Sequence, residues 1–125
     1  VNNKFSKLIK KDFKAFKNKK SIMAMTSHII YKDLDKINTA THSKIVIRMI
    51  RDKIKFKNII ITDDISMKAL KADLKESVIK SFTAGCNLVL HCNGSMREMN
   101  IVAKNSPLLS NFIIKKTSQL YKILS

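Results

Sequence analysis

The sequence predicts an α/β fold built on a parallel sheet. Short apolar runs such as Ile59-Ile60-Ile61 alternate with longer stretches whose apolar residues recur at helical spacing. The order α-β-α-β-α-β-α-α makes βαβ units and hence parallel pairing. The second apolar run ends in two adjacent carboxylates, Asp63 and Asp64. They stand at the strand end where parallel α/β folds carry out chemistry. Three strands offer little area to so many helical stripes, so the pattern predicts part of a larger domain.

The first helix is expected over Lys4 to Lys17, with Phe5, Leu8, Ile9, Phe13 and Phe16 on one face and lysines on the other. Ser21 to Ser27 reads as a buried strand, with His28 at its exit, and Tyr31 to Thr41 as a polar, turn-rich connection. The next helix, Ser43 to Lys55, has a stripe of Ile45, Val46, Met49, Ile50 and Ile54, with Thr41 or Ser43 as its cap. Phe56 to Thr62 is the second strand. Either carboxylate after it could cap a helix, which Asp does well. Asp73-Leu74-Lys75-Glu76 has the form of a capping box. Its helix carries Leu74, Val78 and Phe82, and Gly85 stands where a left-handed C′ residue belongs. Cys86 to Cys92 is the third strand, Asn93-Gly94 a turn, and Ser95 to Lys104 a helix. Ser106-Pro107 is expected to start the last helix, with Leu109, Phe112, Ile113, Leu120 and Leu124 as its apolar face.

The chain has 125 residues, enough for one domain, and its 45% apolar content is that of a globular protein. No apolar run approaches the ~20 residues of a membrane span, and no signal-peptide run opens the chain. A cytoplasmic protein without a membrane partner is expected. The net charge of +16 raises nucleic-acid binding as a reading. Yet 22 Lys, 18 Ile and 10 Asn stand against 3 Arg. The three common types have A/T-rich codons, which makes Lys a default surface residue. Nucleic-acid readers lean on the fixed fork of Arg, so nucleic acid is not the expected partner. In one strand, Cys86 and Cys92 would lie roughly 20 Å apart at about 3.3 Å per residue, whereas a disulfide needs Cα atoms within about 7 Å. They read as small buried residues in a reducing compartment. His28, His42 and His91 share no metal spacing with them. Neither a metal nor another cofactor is expected.

Three motifs carry a resemblance. They are Met23-Ala24-Met25-Thr26-Ser27-His28-Ile29-Ile30-Tyr31, the stretch Phe56 to Met67 ending Thr62-Asp63-Asp64-Ile65-Ser66-Met67, and Ala84-Gly85-Cys86-Asn87-Leu88-Val89-Leu90. In this order and spacing they resemble the bacterial β-N-acetylglucosaminidases of glycoside hydrolase family 3. Those enzymes have an Ala-His-Val-like strand, a Gly-Phe-x-Gly…Ser-Asp-Asp-Leu-x-Met strand and an Ala-Gly-Cys-Asp strand. Ala40-Thr41-His42-Ser43 sits at the family's Pro-Ala-Thr-x-Ser-like segment. The likeness is clear from about Asp12 to Cys92.

The resemblance implies a (β/α)8 TIM barrel of which residues 1–125 are the C-terminal portion, about the last three βα units. A whole barrel takes about 250 residues, so roughly the first five strands lie outside this chain. It implies a retaining glycosidase acting without a cofactor on an amino-sugar glycoside, terminal N-acetylglucosamine of peptidoglycan fragments, in the cytoplasm. Asp63 matches the nucleophile that forms the covalent glycosyl-enzyme. Asp64 matches its neighbour, an orienting or capping partner. His28 and Met67 are further candidates for lining the site, and His91 is expected to be structural.

The departures are also informative. The family's His-Asp acid/base dyad and its Lys-His-Phe-Pro-Gly-His-Gly segment have no counterpart here. The two glycines of Gly-Phe-x-Gly are Lys55 and Asn58, the Pro of Pro-Ala-Thr is Thr39, and the Ser before the carboxylates is Thr62. These exchanges are expected to loosen the turns. The isolated chain is expected to be inactive unless a second chain supplies the first strands. Competing readings are a remnant without activity, a half-barrel that self-associates over its open sheet edge, and a basic nucleic-acid-binding module.

Overall fold

A computed structural model of the chain describes residues 21–67 and 73–124, with positions 7, 13, 14 and 16 near the N-terminus. The helix expected over Lys4 to Lys17 falls largely outside the described residues. The elements in order are β1 (Met23–Met25), α1 (Lys44–Asp52), β2 (Ile59–Asp64), α2 (Leu74–Ala84), β3 (Leu88–Leu90), α3 (Met96–Asn105) and α4 (Asn111–Leu124). The strands form one parallel sheet in the order β1-β2-β3. The β-branched run Ile59-Ile60-Ile61 takes the centre, where both faces are covered.

Strand alternation assigns the faces. Ala24 and Ile60, paired across β1 and β2, point into a cluster formed by Ile47, Met49, Ile54, Phe56, Ala84 and Cys86. Val89 joins a second cluster of Ile65, Val78, Leu74, Phe82 and Val102 under α2. Met23, Met25, Ile59, Ile61 and Leu88 occupy the opposite face by register. Fully burying an Ile such as Ile60 contributes about 1.5–3 kcal/mol.

Capping follows the local chemistry. Ser43 rather than Thr41 caps α1, its Oγ accepting the Val46 N–H. Asp73 caps α2 through the Glu76 N–H, Ser95 caps α3 through the Glu98 N–H, and each cap stabilises its helix by about 1 kcal/mol. Gly85 ends α2 at φ 112. A Cβ there would also meet Ile47 Cγ2 at 3.0 Å.

Several expectations are corrected. Ile45 is exposed and Ile47 buried, because a 3.6-residue turn centred on Val46 and Ile50 carries Ile45 out of the face and Ile47 into it. The strands are shorter or shifted, and β2 runs through both carboxylates instead of stopping at Thr62. Cys92 lies beyond β3 and is exposed, while Cys86 is buried. The last helix starts at Asn111. Ser110 Oγ accepts the Ile113 N–H at 3.3 Å, while Ser106 closes α3 by donating from Oγ to Val102 O at 2.8 Å. Pro107 is therefore not a first helical residue, and Leu109, ahead of the helix, is exposed.

Arg51 at the end of α1 braces the amino ends of the strands. Its Nη1 donates to Phe56 O at 2.9 Å and Asn58 O at 2.6 Å, and its Nη2 to Asn87 Oδ1 at 2.7 Å. Asn87 Oδ1 also accepts the Ile60 N–H at 2.9 Å.

Candidate active site

The carboxyl ends of β1, β2 and β3 lie together because the sheet is parallel. Between β2 and β3 the register slips there. Ile61 pairs with Leu88 and Asp64 with Leu90, so three steps along β2 match two along β3. The extra residue is a bulge at Thr62-Asp63, a device that re-aims side chains at strand ends. Thr62, fully buried, repairs the ladder by accepting the Leu90 N–H on Oγ1 at 2.9 Å.

The two carboxylates have different surroundings. Asp64 closes a turn. Its Oδ1 accepts from Ser66 N at 3.0 Å, Ser66 Oγ at 2.8 Å and Cys92 N at 3.2 Å, and its Oδ2 accepts from Ser66 Oγ at 2.7 Å. Burial pulls the Asp64 pKa up, but the Ser66 and Cys92 hydrogen bonds and the nearby His91 outweigh it, so the net shift is downward. Asp63 is half-buried, and among the described residues its Oδ1 accepts only the Asp64 N–H, at 2.9 Å. Its Oδ2 receives no hydrogen bond among the described residues. Among the described residues neither carboxylate caps a helix, and Asp73 caps α2.

His28 stands three residues past β1. Its Nε2 donates to the Asp64 main-chain carbonyl at 2.8 Å, and its Nδ1 lies 3.0 Å from Thr41 Oγ1. Thr41 Oγ1 is 3.0 Å from Thr26 Oγ1 and 3.1 Å from Ser27 O. The structure thus gathers His28, Asp63 and Asp64 at one edge. Met67 follows at the end of the turn, its N–H on Asp64 O at 3.2 Å and its side chain exposed.

Beside this group, His91 Nε2 meets Glu98 Oε2 at 2.8 Å, and Asn93 Nδ2 donates to the same oxygen. The His91 bond, then that from Asn93, holds the Glu98 carboxyl below its ordinary range. Among the described residues no group of three or more His, Cys, Asp or Glu is placed to hold a metal. A cavity of about 430 Å³ lies instead along β1, lined by Phe13, Met23, Met25, Val46, Ile54 and Phe56 among others, and includes neither carboxylate. Its apolar walls suit packing.

Thr41 and Ser66 were not among the sequence-derived candidates. Ser two residues after Asp64 is a legible turn signal. Nothing local marks Thr41, whose role depends on the β1–α1 connection returning to the sheet.

The chain is similar to known proteins. A model of the glycosyl hydrolase family 3 N-terminal domain matches residues 3–119. A beta-hexosaminidase of Psychromonas ingrahamii is 30% identical over 122 residues, covering 90% of this chain and 33% of that protein. A beta-hexosaminidase of Neisseria meningitidis serogroup C is 39% identical over 72 residues, 55% of this chain and 20% of that protein. Among solved structures, the beta-N-acetylglucosaminidase of Thermotoga maritima superposes with a TM-score of 0.74 at 29% identity, over 84% of this chain and 24% of that one. The chain spans a third or less of the length of these relatives.

Proposed function

The chain belongs to the glycosyl hydrolase family 3 N-terminal domain family, and we propose that it is the nucleophile-bearing part of a retaining β-N-acetylglucosaminidase. Its three parallel strands and their helices are part of a (β/α)8 barrel. The proposed reaction releases terminal N-acetylglucosamine from peptidoglycan fragments in the cytoplasm. One observation supports the choice of Asp63. Of two adjacent carboxylates at the strand end, Asp64 is used by the turn, while Asp63 keeps an oxygen without a hydrogen bond from the described residues.

In this reading Asp63 Oδ2 attacks the anomeric carbon as the glycosidic bond breaks. A general acid protonates the leaving oxygen. Water then opens the glycosyl ester, giving net retention. The acid comes from the barrel portion that the matched segment does not span. The edge strand β1, with Met25 56% exposed, supports a requirement for covering chain, either that portion or a second copy.

The test is mass spectrometry of the intact enzyme carrying this segment after reaction with a slow, fluorinated N-acetylglucosaminide. A glycosyl ester on Asp63 is expected. An adduct on another residue, or unimpaired turnover by Asp63→Asn, would overturn the reading.

A further inference from the structure

We infer that His28 is a positioning residue, which clamps the Asp64 peptide and so fixes the Asp63 carboxylate. The part of this inference that concerns catalysis rests on the glycosidase reading. The geometric part does not.

A carbonyl oxygen only accepts, so the 2.8 Å contact to Asp64 O requires a proton on His28 Nε2. In the neutral ring, Nδ1 then accepts from Thr41 Oγ1 at 3.0 Å. Thr41 Oγ1 in turn accepts the Thr26 hydroxyl proton at 3.0 Å. The single Thr41 hydroxyl proton is shared between His28 Nδ1 and Ser27 O at 3.1 Å, and Ser27 O also receives the Thr41 N–H at 3.3 Å. Both ring nitrogens are committed within the protein, which leaves neither for a sugar hydroxyl or a proton transfer.

The consequence falls on Asp64. Its carbonyl is held by His28 and by the Met67 N–H, its carboxylate by Ser66 and Cys92, and its N–H points at Asp63 Oδ1. The Asp64 carbonyl belongs to the Asp64–Ile65 peptide, whose N–H donates to Leu90 O at 2.9 Å, so that plane is held on both sides. With its side chain held as well, the Asp64 Cα is anchored, and the N–H on its other side keeps one direction toward Asp63. Asp63 lies on a bulge, where ladder bonds are fewest. The chain Thr26–Thr41–His28–Asp64–Asp63 therefore supplies from β1 and the β1–α1 connection the rigidity that the bulge removes. Misplacement of a reacting group by about 1 Å costs about 10²-fold in rate.

Long-range nitrogen–proton NMR of the chain should show His28 as the Nε2–H tautomer, and an Nδ1–H tautomer overturns the inference. His28→Phe keeps the ring and removes the donor. It should speed amide exchange of Asp64 by about tenfold. His28→Gln places an amide donor near the Nε2 position and should restore slow exchange. In the intact enzyme, His28→Phe should lower kcat about 10²-fold with KM within about twofold, and His28→Gln should recover most of it. Unchanged exchange in His28→Phe, or a raised KM at constant kcat, overturns positioning. A wild-type enzyme that hydrolyses no N-acetylglucosaminide defeats the glycosidase reading alone, and the tautomer and exchange results still decide the role of His28.

Discussion

The His28 ring donates to the main-chain carbonyl of Asp64, not to its carboxylate. The adjacent carboxylates therefore have separable tasks. Asp64 holds the backbone through its carbonyl and side chain, and Asp63 keeps an oxygen without a hydrogen bond from the described residues. Asp64→Asn loses charge-assisted bonds to Ser66 and Cys92 and should destabilise the fold by about 1–2 kcal/mol. Asp63→Asn keeps an acceptor for the Asp64 N–H and should cost under about 0.5 kcal/mol. The same substitution should lower turnover of the intact enzyme by ~10³-fold or more. Urea denaturation and kinetics of the two variants check this contrast.

At the opposite end of the sheet, Arg51 satisfies two carbonyls and Asn87 Oδ1 with one planar fork. Arg51→Ala should cost about 3 kcal/mol, because the Phe56 and Asn58 carbonyls lose this donor and Asn87 Oδ1 is left with the Ile60 N–H. Arg51→Lys should recover only part, since an ammonium lacks the fork. Asn87→Asp keeps the acceptor and adds a charge opposite Arg51. It should raise the thermal midpoint, and a lower midpoint would contradict the brace.

The turn before β2 carries strain. Lys55 adopts φ 62, at a position where the resemblance places glycine. A side chain there costs about 1 kcal/mol, so Lys55→Gly should stabilise by that amount. Thr39, at the resembling proline position, has a buried hydroxyl without a hydrogen-bond partner among the described residues. Thr39→Val should add about 1 kcal/mol more. Asn58 behaves differently. Its Nδ2 donates to Ser21 O at 2.7 Å, a bond glycine cannot make.

The acid limb of stability should contain a contribution from Asp35. Burial would raise its pKa, but hydrogen bonds from Asn38, Ser43 and Ile37 bring it down to about 2. Its unfolded value is about 3.9. A lowered folded pKa means that this stabilisation is fully present above the unfolded value and is lost as pH falls toward 2. Asp35→Asn should flatten the pH dependence of unfolding in that window, as read by denaturation from pH 5 to pH 2.

The cysteines should react unequally. Burial pushes the Cys86 thiol up to about 12, with the Arg51 charge pulling weakly the other way. Cys92 is exposed. A maleimide at pH 7.5 should label Cys92 in the folded chain and reach Cys86 only after unfolding. Equal labelling would show that the first core cluster is open.

By itself the sequence determined the α/β alternation, the cap at Asp73, the Gly85 stop and the Asp63-Asp64 pair. Each is written in residues close along the chain, where period and capping chemistry are local. At Lys55, where the resembling family has glycine, the sequence predicts a looser turn, and the structure shows a positive φ of 62. Only the tertiary structure decided that Ile47 is inside and Ile45 outside, that Ser110 starts the last helix, and that Cys92 is exposed. It also separated the two carboxylates. Asp64 is used because Ser66, Cys92 and His28 converge on it, and His28 and Cys92 come from other strands' ends. Which acceptor a donor finds across 28 or 36 residues is set by the packing of the sheet, and no local pattern records it.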